Sequence, residues 1–350
     1  MLPKKMFAAI LVKQNCQLVV DEVLLPKELA VGQVLVKLSY SGICGSQIGE
    51  IRGVKGEDKY LPHLLGHEGS GFVESIGPGV SKVQKGDPVV LHWKEGIGIQ
   101  SEPPKYDWKN RQLNAGLITT FNEFAIVSEN RLTPVPSGTD MRTLCLYGCA
   151  ITTGFGVVEN VAQIKLGESL VVFGSGGVGL NIIQAAAMRG AYPIIAVDKF
   201  ANRLALSELI GATHVINSLR EDVTGKILSI LNGIGPDNFI DNTGNTDVIS
   251  LGYSITNKSG KVILVGVPET GRSVSLNTLP LHFGKKITGT HGGDGHPTQD
   301  IPRYLKICKS KEVDLNSIIS EEYRLKDINH AIESMTTGSS AGRCLIAFKE

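Results

Sequence analysis

Leu170-Val-Val-Phe-Gly-Ser-Gly-Gly-Val-Gly-Leu180 is the stretch that decides how this chain folds. The apolar run Leu170–Phe173 reads as a strand, and the uncharged segment Val178–Met188 reads as a helix. Gly174-Ser-Gly176-Gly177-Val178-Gly179 therefore falls between a strand and a helix, the one context in which a G-x-G-x-x-G carries mechanical meaning. The first glycine permits a tight turn, the second lets the backbone approach a pyrophosphate, and the third lets helix and strand pack closely. The helix N-terminus attracts the phosphate charge. Further on, Asp198 ends the next strand, where a carboxylate accepts hydrogen bonds from both ribose hydroxyls and repels a 2′-phosphate. The reading is NAD rather than NADP, with Lys199 and Arg203 close enough to offset part of that repulsion. The competing reading is a glycine-rich structural turn with a capping aspartate.

Outward from this motif the pattern repeats. Short apolar runs at 193–197, 214–216, 239–240 and 261–265 alternate with helical patterns at 201–209, 223–231 and 248–256, which argues for a doubly wound parallel sheet. Residues 6 to about 135 are different: Phe7–Val12, Val34–Tyr40, Gly71–Ile76, Pro88–Leu91 and Phe121–Val127 read as strands between turn signals. After Lys286 the chain is mixed, with an amphipathic helix expected at 325–335 and a last strand at 344–348, a tail expected to pack back on the first region. The expected class is α/β: a Rossmann-type doubly wound sheet plus a mostly-β domain. The expected domains are 1–152, 153–290 and a returning segment 291–350.

Composition bounds the function. A chain of 350 residues, 42% hydrophobic and 20% charged, holds about two globular domains. With 35 Lys+Arg against 34 Asp+Glu there is no field to attract nucleic acid or an anionic membrane, so small molecules are the expected partners. The 6 cysteines are too few and scattered for a disulfide framework and fit reduced thiols in a cytoplasmic enzyme. Lys4-Lys5 before Met6–Val12 faintly resembles a signal peptide, but Lys13 cuts the run short, and it reads as a first strand. Glycines inside Ser169–Met188 argue against a membrane span.

In the β-rich region stand Cys44, the run Gly66-His67-Glu68 and later Gly148-Cys149. Two thiolates and an imidazole suit Zn²⁺, and three protein ligands leave a fourth position for water or substrate. Taken singly, each is as well explained as core filling or a satisfied histidine. The run Gly66-His67-Glu68-x-x-Gly71-x5-Gly77-x-x-Val80, then Gly86-Asp87, Gly148-Cys149 and the coenzyme fingerprint, resembles the zinc-containing alcohol dehydrogenases of the medium-chain dehydrogenase/reductase superfamily over nearly the whole chain.

That resemblance implies a GroES-like catalytic domain made of both termini, a Rossmann domain, and a catalytic zinc between them. It makes Cys44, His67 and Cys149 the zinc ligands, with Glu68 a carboxylate able to approach the metal. Ser46 becomes the hydroxyl that takes the substrate proton, against the simpler reading of a local turn hydrogen bond. Thr153 and Val178 resemble residues beside the nicotinamide, Arg343 the arginine that reaches the pyrophosphate, and Trp93 an aromatic wall of the substrate pocket. Relatives are dimers or tetramers, so a homodimer or homotetramer is implied.

Several positions depart from the family. Between Gly86 and Arg131 there is no cysteine, so the four-cysteine structural zinc of many members is not expected; Trp108 in that region reads as core. Gly49 stands where many relatives have a proton-relay histidine, which leaves water or Glu50 to end the relay. Gln47 replaces the aspartate that orients the zinc histidine and brings no charge to it. Gly45 replaces an arginine for the pyrophosphate. His291-Gly-Gly-Asp-Gly-His296 reads as a flexible loop near the substrate in preference to a metal site. His92, with Lys94 and Glu95, reads as a polar substrate contact and tilts the expectation toward a polyol or sugar-derived alcohol. The leading reading is a zinc- and NAD-dependent dehydrogenase that interconverts an alcohol and its aldehyde or ketone. The alternatives are a zinc-free enone or quinone reductase of the same superfamily and a non-catalytic NAD-binding protein.

Overall fold

A computed structural model describes residues 2–348. The chain forms two compact units, one ending at Cys149 and completed by the segment from His296 onward, the other Ala150–Gly295. The breaks after Cys149 and Gly295 compare with sequence-based breaks after 152 and 290. The second lies later because Gly292–Asp294 is held by its own unit: Asn160 Nδ2 donates to the Gly293 carbonyl at 2.9 Å. A Cβ on Gly293 would sit 2.5 Å from the Thr153 carbonyl oxygen. The expected flexible loop is thus, over 292–294, a packed turn.

In the second unit all six strands are parallel, ordered His214–Asn217, Ile194–Asp198, Leu170–Phe173, Asn238–Asp241, Lys261–Leu264 and Lys286–Gly289. This is the 3-2-1-4-5-6 order of dinucleotide-binding sheets, with the switch point beside the glycine motif. The strands are apolar on both sides: Val171, Ile195, Val197, Ile216, Phe239 and Val262 form the core on one face, and Leu170, Val172, Ile194, Ala196, Ile240 and Ile263 are buried on the other. Each such buried side chain contributes about 1.5–3 kcal/mol. The sixth strand escaped the sequence reading because Lys286, Thr288 and Gly289 are exposed and break the apolar run.

The first unit contains two sheets. One joins His63–Leu64, Lys5–Leu11, Val19–Leu24, Tyr106–Trp108 and Arg111–Leu113 in that order. The other runs Leu132–Pro134, Pro88–His92, Glu68–Ile76, Gln33–Gly42, Arg343–Ala347, Ile319–Tyr323, with Phe124–Ser128 also paired to Gln33–Gly42. The tail lies in this unit: Leu345 pairs Gly42 antiparallel, and Cys344 and Ile346 join Ala9, Leu11, Ile43 and Phe121 in one core. Since Ser41 pairs Gly69 across the other edge of the same strand, the tail strand brings Arg343 beside the start of Glu68–Ile76. Among the described residues no single helix is long and apolar enough to cross a membrane.

Candidate active site

Three backbone irregularities present the donors. Cys44 follows the end of the strand Gln33–Gly42 in extended conformation and caps the helix Gly45–Ile51. Cys149 ends the tight turn Cys145–Gly148. His67 follows Gly66, whose φ of +94° is left-handed and whose Cβ would lie 2.4 Å from Thr120 Oγ1, so only glycine fits there. Gly148 is equally confined, since its Cβ would stand 2.3 Å from the Leu91 carbonyl oxygen.

The donor atoms of Cys44, His67 and Cys149 all lie within 4.8 Å of one another. The two sulfurs are 4.0 Å apart, close to the roughly 3.8 Å edge that Zn–S bonds of about 2.3 Å give a tetrahedron. His67 Nε2 is buried and lacks a hydrogen-bond partner, a cost that native interiors rarely leave uncompensated. A metal ion is the partner this chemistry fits: two thiolates and one imidazole. Cys44 ionises first of the pair, held well below the usual thiol range by its hydrogen bond with Cys149 and further by Arg343 and His67, against the cost of burial. Cys149 is pushed up by the same neighbour and by burial.

On its other side His67 Nδ1 meets Gln47 Nε2 at 2.8 Å, while Gln47 Oε1 accepts from the Gly66 N–H at 2.6 Å. Gln47 thus bridges the His67 ring and the Gly66 backbone. Glu68 is fully buried, and its Oε2 accepts from Arg343 at 3.0 Å; Arg343 also donates to the Ile43 carbonyl at 3.0 Å. A Cβ on Gly42 would come within 1.9 Å of Glu68 Oε1, so the glycine makes room for the carboxylate. Arg343 corrects an expectation: sequence reading gave it to a pyrophosphate, whereas here it is 2% exposed with both terminal nitrogens committed to Glu68 and Ile43. Ser46 is exposed on the first turn of the helix that Cys44 caps.

His92 also departs from expectation. It is 1% exposed, with Nδ1 donating to the Lys94 carbonyl at 2.7 Å and Nε2 accepting from Thr133 Oγ1 at 3.0 Å. Burial, aided by Lys82 and Arg131, lowers its pKa to about 4, so it stays neutral and structural. The last strand residue before the turn faces inward because it pairs with Glu68 in the sheet. Trp93 is half-buried and its carbonyl accepts from Arg131 at 2.5 Å. Trp108 packs against the core of the first sheet, with Nε1 donating to Asp21 at 2.9 Å.

In the second unit, Gly174 has a φ of +97° and a Cβ on Gly179 would stand 2.0 Å from the Gly174 carbonyl oxygen, so both are required by the turn itself. Gly176 is different: its φ is −76° and a Cβ there would meet nothing within 4 Å. The fold leaves that space open at the N-terminus of helix Gly177–Met188, which begins with Val178 in its first turn. Asp198 Oδ2 accepts from the Ser175 N–H at 2.8 Å and Oδ1 from Phe200 N–H at 3.0 Å, tying the next strand to the glycine turn. Arg203 lies 3.9 Å from Asp198, and Lys199 lies over the Phe200 ring. Thr153 is buried in the helix Ala150–Gly156.

Sequence reasoning missed one polar group in the first unit: Glu50, Asp58 and His63, whose donor atoms also lie within 4.8 Å of one another.

Two family patterns match. Residues 30–137 match the alcohol dehydrogenase GroES-like domain, and residues 177–310 match the zinc-binding dehydrogenase domain. The S-(hydroxymethyl)glutathione dehydrogenase of Synechocystis sp. is 29% identical over 336 residues, 88% of this chain and 91% of that protein. Alcohol dehydrogenase-like 3 of Arabidopsis thaliana is 29% identical over 360 residues, 90% and 89% of the two chains. The crystal structure of benzyl alcohol dehydrogenase from Acinetobacter calcoaceticus superposes with a TM-score of 0.89 at 28% identity, covering 99% of this chain and 100% of that one.

Proposed function

The chain belongs to the zinc-containing alcohol dehydrogenase family of the medium-chain dehydrogenase/reductase superfamily, and from that premise we propose how its own residues interconvert an alcohol and its aldehyde or ketone. The observation that carries the reading is the convergence of Cys44, His67 and Cys149 around the unpartnered His67 Nε2. Zinc, when bound, supplies a Lewis acid that lowers the pKa of an alcohol oxygen, and NAD supplies the hydride acceptor.

Cys44 and Cys149 provide the thiolates, and the lowered thiol pKa of Cys44 favours metal capture. Gln47 lies against the His67 ring at Nδ1, on the side away from Nε2. Ser46 takes the substrate proton, since a hydroxyl both accepts and donates, and passes it to water because Gly49 offers no imidazole. Glu68, neutralised by Arg343, keeps a carboxylate at the site without adding net charge. In the other unit the open space at Gly176 admits the pyrophosphate at the helix N-terminus, a task that Arg343 is not needed for. Asp198 reads the ribose and favours NAD over NADP, Lys199 and Arg203 lie beside it, and Thr153 and Val178 flank the nicotinamide.

One zinc per chain, a homodimer or homotetramer, and a cytoplasmic setting complete the reading. The case for a polyol weakens with the burial of His92, so the substrate is sought among aliphatic, aromatic and polyhydroxy alcohols alike.

The test is elemental analysis of desalted protein together with NADH production over such a panel. One retained zinc, lost in Cys149→Ser while NAD binding persists, and turnover of at least one alcohol are expected. No zinc after metal-replete purification, or full turnover by Cys149→Ser, overturns the assignment.

A further inference from the structure

We propose that Glu50, Asp58 and His63 form a second site, for an exchangeable divalent cation of the manganese or zinc class. The three come from separate segments: the helix Gly45–Ile51, the loop after it, and the strand His63–Leu64. His63 Nδ1 lies 2.9 Å from the Leu64 carbonyl oxygen, which can only accept, so this nitrogen carries the proton and donates it. Nε2, the other ring nitrogen, then faces Asp58 Oδ2 at 2.7 Å and Glu50 Oε1 at 3.9 Å. Two carboxylates converging on a ring nitrogen require a cation among them, either a proton or a metal ion. A ring nitrogen donating to a backbone carbonyl while the other points at carboxylates is the arrangement of a metal-ligating histidine.

The surroundings favour the metal. The His63 side chain is only 8% exposed and Asp58 11%, while Glu50 at 37% reaches solvent. The group opens on a cavity of about 650 Å³ whose wall carries the carboxylates of Glu50, Asp58 and Glu102 against the single lysine Lys105. That leaves room for waters to complete the coordination of an ion held by three protein donors. One imidazole and two carboxylates suit Mn²⁺, Fe²⁺ or Zn²⁺ and contrast with the thiolate pair of the first site. Bonds of about 2.1 Å place neighbouring ligand atoms about 3 Å apart, so Asp58 and His63 need separate by only a few tenths of an ångström. The site also touches the first one: Gln47 Nε2 donates to Glu50 Oε2 at 3.4 Å and lies 2.8 Å from His67 Nδ1. An ion drawing on Glu50 therefore acts on the residue that orients the zinc histidine.

This inference stands apart from the alcohol dehydrogenase reading, and its test needs no turnover. Mn²⁺ avoids thiolate sites, so metal-depleted full-length protein is titrated with Mn²⁺ and the free ion is followed by electron paramagnetic resonance. One bound Mn²⁺ per chain is expected, retained in Cys149→Ser. Binding about 100-fold weaker is expected in Asp58→Asn and at least about tenfold weaker in Glu50→Gln, whose half-exposed side chain endangers folding least. A proton in place of the ion is the opposing outcome. Absence of Mn²⁺ binding at millimolar concentration, binding unchanged in both variants, or binding lost in Cys149→Ser each overturns the proposal.

Discussion

Arg343→Met isolates what holds the buried carboxylate of the zinc-binding unit. Glu68 has no exposure and Arg343 only 2%, and their side chains meet at 3.0 Å. Replacing one member of a buried pair leaves a charge with neither water nor partner, which costs about 3–5 kcal/mol. In a unit of this size each kcal/mol lowers the melting temperature by about 2–4 °C, so Arg343→Met is expected to lose about 10 °C. The double variant Glu68→Gln with Arg343→Met removes both charges and is expected to regain more than half of that loss. A second consequence concerns the metal: the guanidinium is one of the charges that lower the Cys44 thiol pKa. Its removal shifts the pH midpoint of zinc uptake upward in Arg343→Met. Calorimetry of metal-depleted protein measures the first effect, and competition for zinc with a chelating dye across pH measures the second. An Arg343→Met melting temperature within about 2 °C of the parent refutes the account, as does a double variant no more stable than the single one.

Other perturbations separate structural from binding roles. His92 has a folded pKa of about 4 against about 6.5 unfolded, so the unfolded chain takes up its proton first. Stability is whole above about pH 6.5 and falls by about 3 kcal/mol as pH drops to about 4. Urea midpoints across that range are expected to flatten in His92→Asn, and an unchanged slope means the ring is not held neutral. Gly176→Ala is expected to leave the melting temperature unchanged but weaken NAD binding at least about tenfold, whereas Gly179→Ala destabilises the fold outright. Equal NAD affinity in Gly176→Ala would move the pyrophosphate elsewhere. Asp198→Ala is expected to raise the NADP-to-NAD ratio of kcat/KM at least about tenfold, with circular dichroism to confirm that the Ser175 and Phe200 contacts are dispensable. An unchanged ratio in a folded variant places the ribose contact on another residue.

The parallel sheet was legible because burial on both faces forces continuous apolar runs, and Leu170–Phe173 and Ile194–Asp198 have little else in them. Ile319–Tyr323 was not, because its Ser-Glu-Glu centre satisfies no period; it is a strand because Arg343–Ala347 lies beside it. The hairpin Tyr106–Trp108 and Arg111–Leu113 carried a readable signal that went unused: Lys109 and Asn110 both have positive φ, a two-residue turn for which asparagine is suited. At the site, residue types suggested zinc, but the union of Cys44, His67 and Cys149 came from the family pattern. Arg343 and His92 were misplaced because their partners lie far away in sequence or across the sheet. Position along the chain identified the residues and not the direction of their side chains.

The segment between Gly86 and Arg131 contains no cysteine and is held by polar contacts to its backbone. Glu129 lies buried beneath it and accepts from the backbone N–H groups of Ser81 at 2.7 Å, Lys82 at 2.8 Å and Ile99 at 2.9 Å. Those bonds keep its carboxyl below the usual range despite the cost of burial. Lys82 donates to the carbonyls of Ile97 at 2.9 Å and Leu132 at 2.7 Å, and Arg131 to Trp93 at 2.5 Å and Gln100 at 3.0 Å. Thr298 closes the set by accepting from Ile97 N–H at 3.0 Å. A zinc ion fixes such a loop through four bonds at one point, whereas this clasp spreads the task over charge-assisted hydrogen bonds to the backbone. The same residues explain why His92 is not free for substrate: Lys82 and Arg131, the cations of the clasp, lie close enough to oppose its protonation, and the loop they tether supplies its Lys94 acceptor. The clasp thus makes His92 part of the wall's foundation and not a free pocket residue.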